Sequence, residues 1–65
     1  MMYIVRARCN YTEGCVRMND NFIVNMNKEK FSRQELQDKI TATYEGVDGM
    51  TDIQVVAISA VIKDY

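Results

Sequence analysis

The sequence predicts an α+β fold: a four-stranded mixed sheet in the order 4-1-2-3, one helix packed on one face, and the connectivity βββαβ. Three observations carry this expectation. Apolar and polar residues alternate through Met2–Cys9 with the period of a half-buried strand. A helix-start pattern stands at Ser32-Arg33-Gln34-Glu35, followed by apolar residues at helical spacing. Beyond Asp48-Gly49 the chain from Met50 to Lys63 is dominated by Val, Ile and Thr, with neither Gly nor Pro after Met50. At 65 residues the whole chain, 1–65, is a single small domain.

The first strand, Met2 to Cys9, sets Tyr3, Val5, Ala7 and Cys9 on one side and Ile4, Arg6 and Arg8 on the other. The two arginines mark the second side as the outer one. Asn10-Tyr11-Thr12-Glu13-Gly14 reads as a turn. A second strand, Cys15 to Met18, directs Val16 and Met18 inward. Asn19-Asp20-Asn21 reads as another turn, because Asn and Asp tolerate positive φ. The third strand, Phe22 to Asn27, directs Phe22, Val24 and Met26 inward. Keeping one face apolar pairs Val16 with Val24 and with Ala7. It also sets Arg6 opposite Arg17, a repulsive pair unless an anion lies between them.

The helix is expected over about Arg33 to Glu45. Ser32 and Glu35 form a capping box, and Phe31 and Leu36 flank it as a hydrophobic staple. Leu36, Ile40 and Tyr44 fall on one stripe, while Arg33, Gln34, Asp38, Lys39 and Glu45 lie on the wet side. Gly46 is placed to end the helix in the left-handed region.

The last strand, expected parallel to the first, is apolar on both faces. A sheet strand open to water on one side alternates with polar residues instead. With one helix to cover one face, the sequence leaves Ile4, Ile23, Ile53, Val55 and Val61 exposed. That surplus predicts a homo-oligomer, or a complex with another protein, formed through the open sheet face or the C-terminal strand. The alternative is a β-bulge near Val55-Val56 or Ser59 that switches the inward face midway and leaves a monomer.

Composition narrows the function. The chain has 0 His, so neither a Ser-His nor a Cys-His pair exists within it. Cys9 and Cys15, its 2 cysteines, cannot complete a zinc site alone and read as reduced thiols. Neither metal nor cofactor is expected, and the expectation is a non-enzymatic binding protein. Neither a signal peptide nor an apolar run of membrane-spanning length is seen, so a soluble cytoplasmic protein is expected. Arg6, Arg8 and Arg17, with Tyr11 nearby, form a candidate patch for a small anion or for nucleic acid. The net charge of -1 counts against nucleic acid. Asp48-Gly49-Met50-Thr51-Asp52 lacks the ligand spacing of a calcium loop and reads as a turn. In composition the chain resembles short reading frames of AT-rich phages and mobile elements, which implies a small protein acting by binding a host factor.

Overall fold

The first strand runs well past Cys9. In the structure, a computed structural model describing residues 2–64, β1 spans Met2–Glu13, and the chain reverses only at Gly14-Cys15. Gly14 has φ 63°, the conformation required at the first central position of a two-residue hairpin turn. The return strand β2, Val16–Met26, is continuous through Asn19-Asp20-Asn21, where a turn was expected. Side-chain chemistry explains this. Asn19 Nδ2 donates to Asn10 Oδ1 (2.5 Å), the Tyr11 hydroxyl donates to Asp20 Oδ2 (2.6 Å), and Ser59 Oγ donates to Asn21 Oδ1 (3.3 Å). The polar side chains bond across strands instead of to their own backbone, so the turn option is not taken.

This difference resets the topology. Two strands return the chain to the end where it began, with Met26 opposite Tyr3. Helix α1, Arg33–Tyr44, then carries it to the other end, and β3, Met50–Asp64, starts opposite Glu13 and runs back to Met2. The result is ββαβ with a three-stranded antiparallel sheet ordered β2-β1-β3. The predicted fourth strand, the order 4-1-2-3 and the parallel last strand are not found; the α+β class and the single helix are.

The helix forms as its sequence requires. Ser32 Oγ accepts the Glu35 N–H (3.1 Å), and Glu35 Oε1 accepts the Ser32 N–H (3.2 Å). Gly46 at φ 82° ends it, donating to the Met50 carbonyl at 2.8 Å. A short 3-10 turn, Val47–Gly49, leads into β3.

Leu36 and Ile40 are fully buried against Val5, Ala7, Cys9, Tyr11, Phe22, Val24 and Met26. Phe22 sits edge-on to both Tyr11 (5.1 Å between centroids) and Tyr44 (4.7 Å), geometries that aromatic pairs prefer. Val16 and Met18, expected inside, share the helix-side parity but are exposed on the projecting hairpin. Ile53 and Val55, expected on the exposed side, are core residues at 4% and 6% exposure.

Candidate functional site

Two uncovered surfaces remain: the outer sheet face and the outer edge of β3. The outer face is built from β1 outward. Ile4 lies between Asn25 and Ile62, Arg6 between Ile23 and Ala60, and Arg8 between Asn21 and Ala57. Arg6 and Arg8 are exposed and alternate with buried Val5 and Ala7, so both rise from one face. Neither hydrogen-bonds nor ion-pairs with another described residue, and none of their four direct cross-strand neighbours is a carboxylate.

The expected arginine cluster is therefore divided. Arg17 lies opposite Thr12, not Arg6, and is engaged: its Nη1 donates to Thr12 Oγ1 (3.1 Å) and to the Asp52 carbonyl (2.9 Å). Tyr11 points to the helix side, buried against Phe22. Its hydroxyl pKa is pushed up to about 12, first by the hydrogen bond to Asp20, then by burial and by the charges of Asp20 and Glu13. The repulsion between Arg6 and Arg17 that the expected register carried does not arise.

The β3 edge is built differently along its length. Its register against β1 slips three times, between Arg6/Ala7, Arg8/Cys9 and Asn10/Thr12. The first two slips place Ser59 and Val56 as the extra residues of β-bulges, at the positions the sequence had offered as the alternative. The bulges turn Ile53 and Val55 under the helix, but they do not hide the rest. Ile58 (48% exposed) and Val61 (42%) stand on the helix side, and Ile62 (57%) on the outer face. Val56 (45%) projects at its bulge. Of the expected interface set, Ile23 and Val61 are exposed, Ile4 is half-buried, and Ile53 and Val55 lie inside.

Over Ile53–Val56 the helix closes the edge. Gln37 takes the place of a neighbouring strand: its Nε2 donates to the Ile53 carbonyl (2.5 Å) and its Oε1 accepts the Val55 N–H (2.7 Å). Arg33 Nη2 donates to the Val55 and Val56 carbonyls. On the opposite edge the Tyr44 hydroxyl donates to the Ile23 carbonyl at 2.6 Å. Sequence reading placed Arg33 on the wet side and gave Gln37 no role. Their i, i+4 spacing beside Leu36 and Ile40 was the available signal.

From Ala57 to Ile62 no described side chain closes the edge. The N–H of Val55 points away from β1, and Ile58 and Val61 face Ala7 and Val5 as Val55 faces Cys9. By ladder alternation the backbone groups of Ile58 and Val61 also point outward.

Among the described residues, no group of three or more His, Cys, Asp or Glu is gathered to hold a metal ion. Cys9 is buried and Cys15 exposed, both free; burial raises the Cys9 thiol pKa. Among them, too, no helix is long and apolar enough to cross a membrane. No family model, curated protein or solved structure matches the chain.

Proposed function

We propose that this chain is a small non-enzymatic binding protein that works as a homo-oligomer through its uncovered apolar surface. One observation carries the reading: four aliphatic side chains of one strand, Val56, Ile58, Val61 and Ile62, stay roughly half exposed in a domain with little core to spare. Fully burying such a side chain is worth about 1.5–3 kcal/mol, so covering the exposed half of each gives about 1 kcal/mol apiece. Two copies contribute about 8 kcal/mol, the scale of a micromolar constant before the cost of association is subtracted. Subtracting an association cost of about 4 kcal/mol leaves a weak dimer with a dissociation constant of about a millimolar. Sedimentation equilibrium from low micromolar to near-millimolar concentration tests it. A mass that stays at 7.5 kDa throughout rejects it.

A second reading has its own support: the unpaired Arg6 and Arg8, about 7 Å apart along β1 by strand rise, suit a small anion or an acidic segment. Single-stranded nucleic acid is less well served, because such sites stack bases on aromatic rings and the described outer face carries none. Titration with inorganic pyrophosphate tests this reading. Binding that weakens with salt and vanishes in the Arg6→Ala/Arg8→Ala variant supports it; absence of binding at low salt removes it.

A further inference from the structure

We infer that the pocket where helix α1 ends is a binding site for a small alkylammonium ion, held by the Asp20 carboxylate and the rings of Tyr11, Phe22 and Tyr44. This goes beyond self-association and does not rest on it: Val56, Ile58, Val61 and Ile62 do not line the pocket.

The sheet register brings the parts together. Asp20 and Phe22 share the helix side of β2, opposite Cys9 and Ala7, and Tyr11 lies diagonal to Asp20 across the hairpin. Tyr44 is the last residue of α1, and Met50 is the first of β3. Together with Asn21 these residues line a pocket of about 280 Å³. That lies just below the range of about 300–1,000 Å³ that takes drug-sized molecules, so the fit is a smaller ligand. Tyr11 and Phe22 are buried and hold each other edge-on; Tyr44 and Met50 are half-buried, and Asp20 is exposed.

Charge selects a cation. Asp20 accepts one hydrogen bond, from the Tyr11 hydroxyl, and has no ion partner among the described residues. The charges acting on that hydroxyl, those of Asp20 and Glu13, are both negative. The helix ends at Tyr44 with no basic residue in its last turn, so the negative end of its dipole lacks a compensating side chain.

Hydrogen bonding selects an N–H donor. Both phenol protons are committed, that of Tyr11 to Asp20 and that of Tyr44 to the Ile23 carbonyl. These groups have acceptor oxygens and aromatic rings left to offer. An alkylammonium ion uses both: its N–H groups donate to the carboxylate, and its charge is attracted to the rings.

Two larger clefts lack this combination. In one, Arg17 and Gln37 are already bonded to Thr12 and to the β3 backbone. In the other, Glu35 is paired with Lys28, and Asp38 accepts from Gln34.

The probe is n-butylammonium chloride, followed by amide correlation spectra, with 1-butanol as its neutral isostere. Saturable shifts at Tyr11, Asp20, Phe22 and Tyr44 are expected, with a dissociation constant of about a millimolar, the scale for a ligand of about five heavy atoms. Asp20→Asn keeps an acceptor for the Tyr11 hydroxyl and removes the charge; it is expected to weaken butylammonium by about fivefold, the upper end for an exposed ion pair. Glu29→Gln removes the same charge in the loop before the helix, at the other end of the sheet, and is expected to leave binding within about twofold because salt screens distant charges. Tyr44→Leu is expected to weaken binding by about threefold, and Tyr44→Phe, which keeps the ring, by less than about twofold.

No saturation at about tens of millimolar overturns the site. Equal binding of 1-butanol, or an effect of Asp20→Asn no larger than that of Glu29→Gln, overturns the assignment to a cation. If Tyr44→Leu does not fold, Asp20→Asn decides.

Discussion

Replacing Gln37 with Ala removes the side chain that stands in for a neighbouring strand beside Ile53–Val55. Two part-buried backbone groups, the Val55 N–H and the Ile53 carbonyl, lose their partner together. Each such bond contributes about 0.5–1.5 kcal/mol net, so their joint loss costs about 2 kcal/mol. The better helix propensity of Ala returns a few tenths. A net loss of about 1.5–2 kcal/mol is a large share of the few kcal/mol available to a domain this small. At about 4–8 °C per kcal/mol the midpoint falls by about 10 °C. Chemical denaturation at one low protein concentration measures the change without the contribution of association. Hydrogen exchange adds a local readout: the Val55 amide is protected by Gln37 and is expected to exchange faster in the variant, while the Leu36 amide, bonded within the helix to Ser32, keeps its relative protection. A stability change below about 0.5 kcal/mol, the ordinary scatter of surface substitutions, together with an unaltered Val55 rate, refutes the closed-edge argument.

Four further outcomes are expected. Ser32→Ala removes the helix cap and costs about 1 kcal/mol by denaturant titration. The Glu35 carboxyl pKa is held below its ordinary 4.5, first by the hydrogen bond from Lys28 and then by the Ser32 N–H. A lowered folded pKa gives stability that is present above 4.5 and lost as pH falls through the folded value, so Glu35→Gln flattens the acid limb of a stability profile. Tyr11 works in the opposite sense. Its pKa of about 12 gives stability that is complete below 10 and lost as pH rises towards 12; Asp20→Ala shifts that loss to lower pH, read by ultraviolet titration of the phenol. Of the two thiols, exposed Cys15 is expected to react fast with a disulfide reagent, and buried Cys9 only on unfolding.

Much of the local structure was legible because its signals are one-dimensional. The two-residue period of Tyr3, Val5, Ala7 and Cys9 fixes which side of β1 is buried whatever strand lies beside it. The Ser32–Glu35 capping box fixes the helix start from four adjacent residues. Topology turned on an ambiguous signal. Asn19-Asp20-Asn21 serves equally as a turn or as a polar strand, and the choice rests on whether Tyr11, Asn10 and Ser59 come within reach. Those partners lie 9 to 38 residues away in sequence. One misplaced turn then reversed the direction of the last strand. The surplus of apolar side chains on β3 was legible, but not its members. Each bulge shifts the parity of all that follows, so Ile53, Val55 and Val61 lie on the helix side and Ile62 on the outer one, while Ile58 keeps its expected side but stays half exposed. Gln37 was invisible for a different reason: a glutamine beside an apolar stripe reads as solvated until a strand edge lies under it.

The argument for an interface on β3 rests finally on where protection ends. Exposed sheet edges invite pairing, and proteins blunt them with polar residues, prolines, bulges or covering elements. This chain applies such means unevenly. The β2 edge has asparagines and the Tyr44 hydroxyl. On the β3 edge Gln37 and Arg33 cover Ile53–Val56, and bulges stand at Val56 and Ser59. A 12-residue helix is about 18 Å long, whereas the 15-residue β3 belongs to a molecule 38 Å along its longest axis, so the helix cannot close all of it. Length explains why cover is missing but not the composition beneath the gap. A lysine or glutamate at Ile58 or Val61 satisfies an open edge at little cost to the core, since both side chains are already about half in water. Aliphatic residues there are costly in an isolated chain and favourable in a paired one, which is why the free segment of β3 is read as the contact and not as an accident of a short helix.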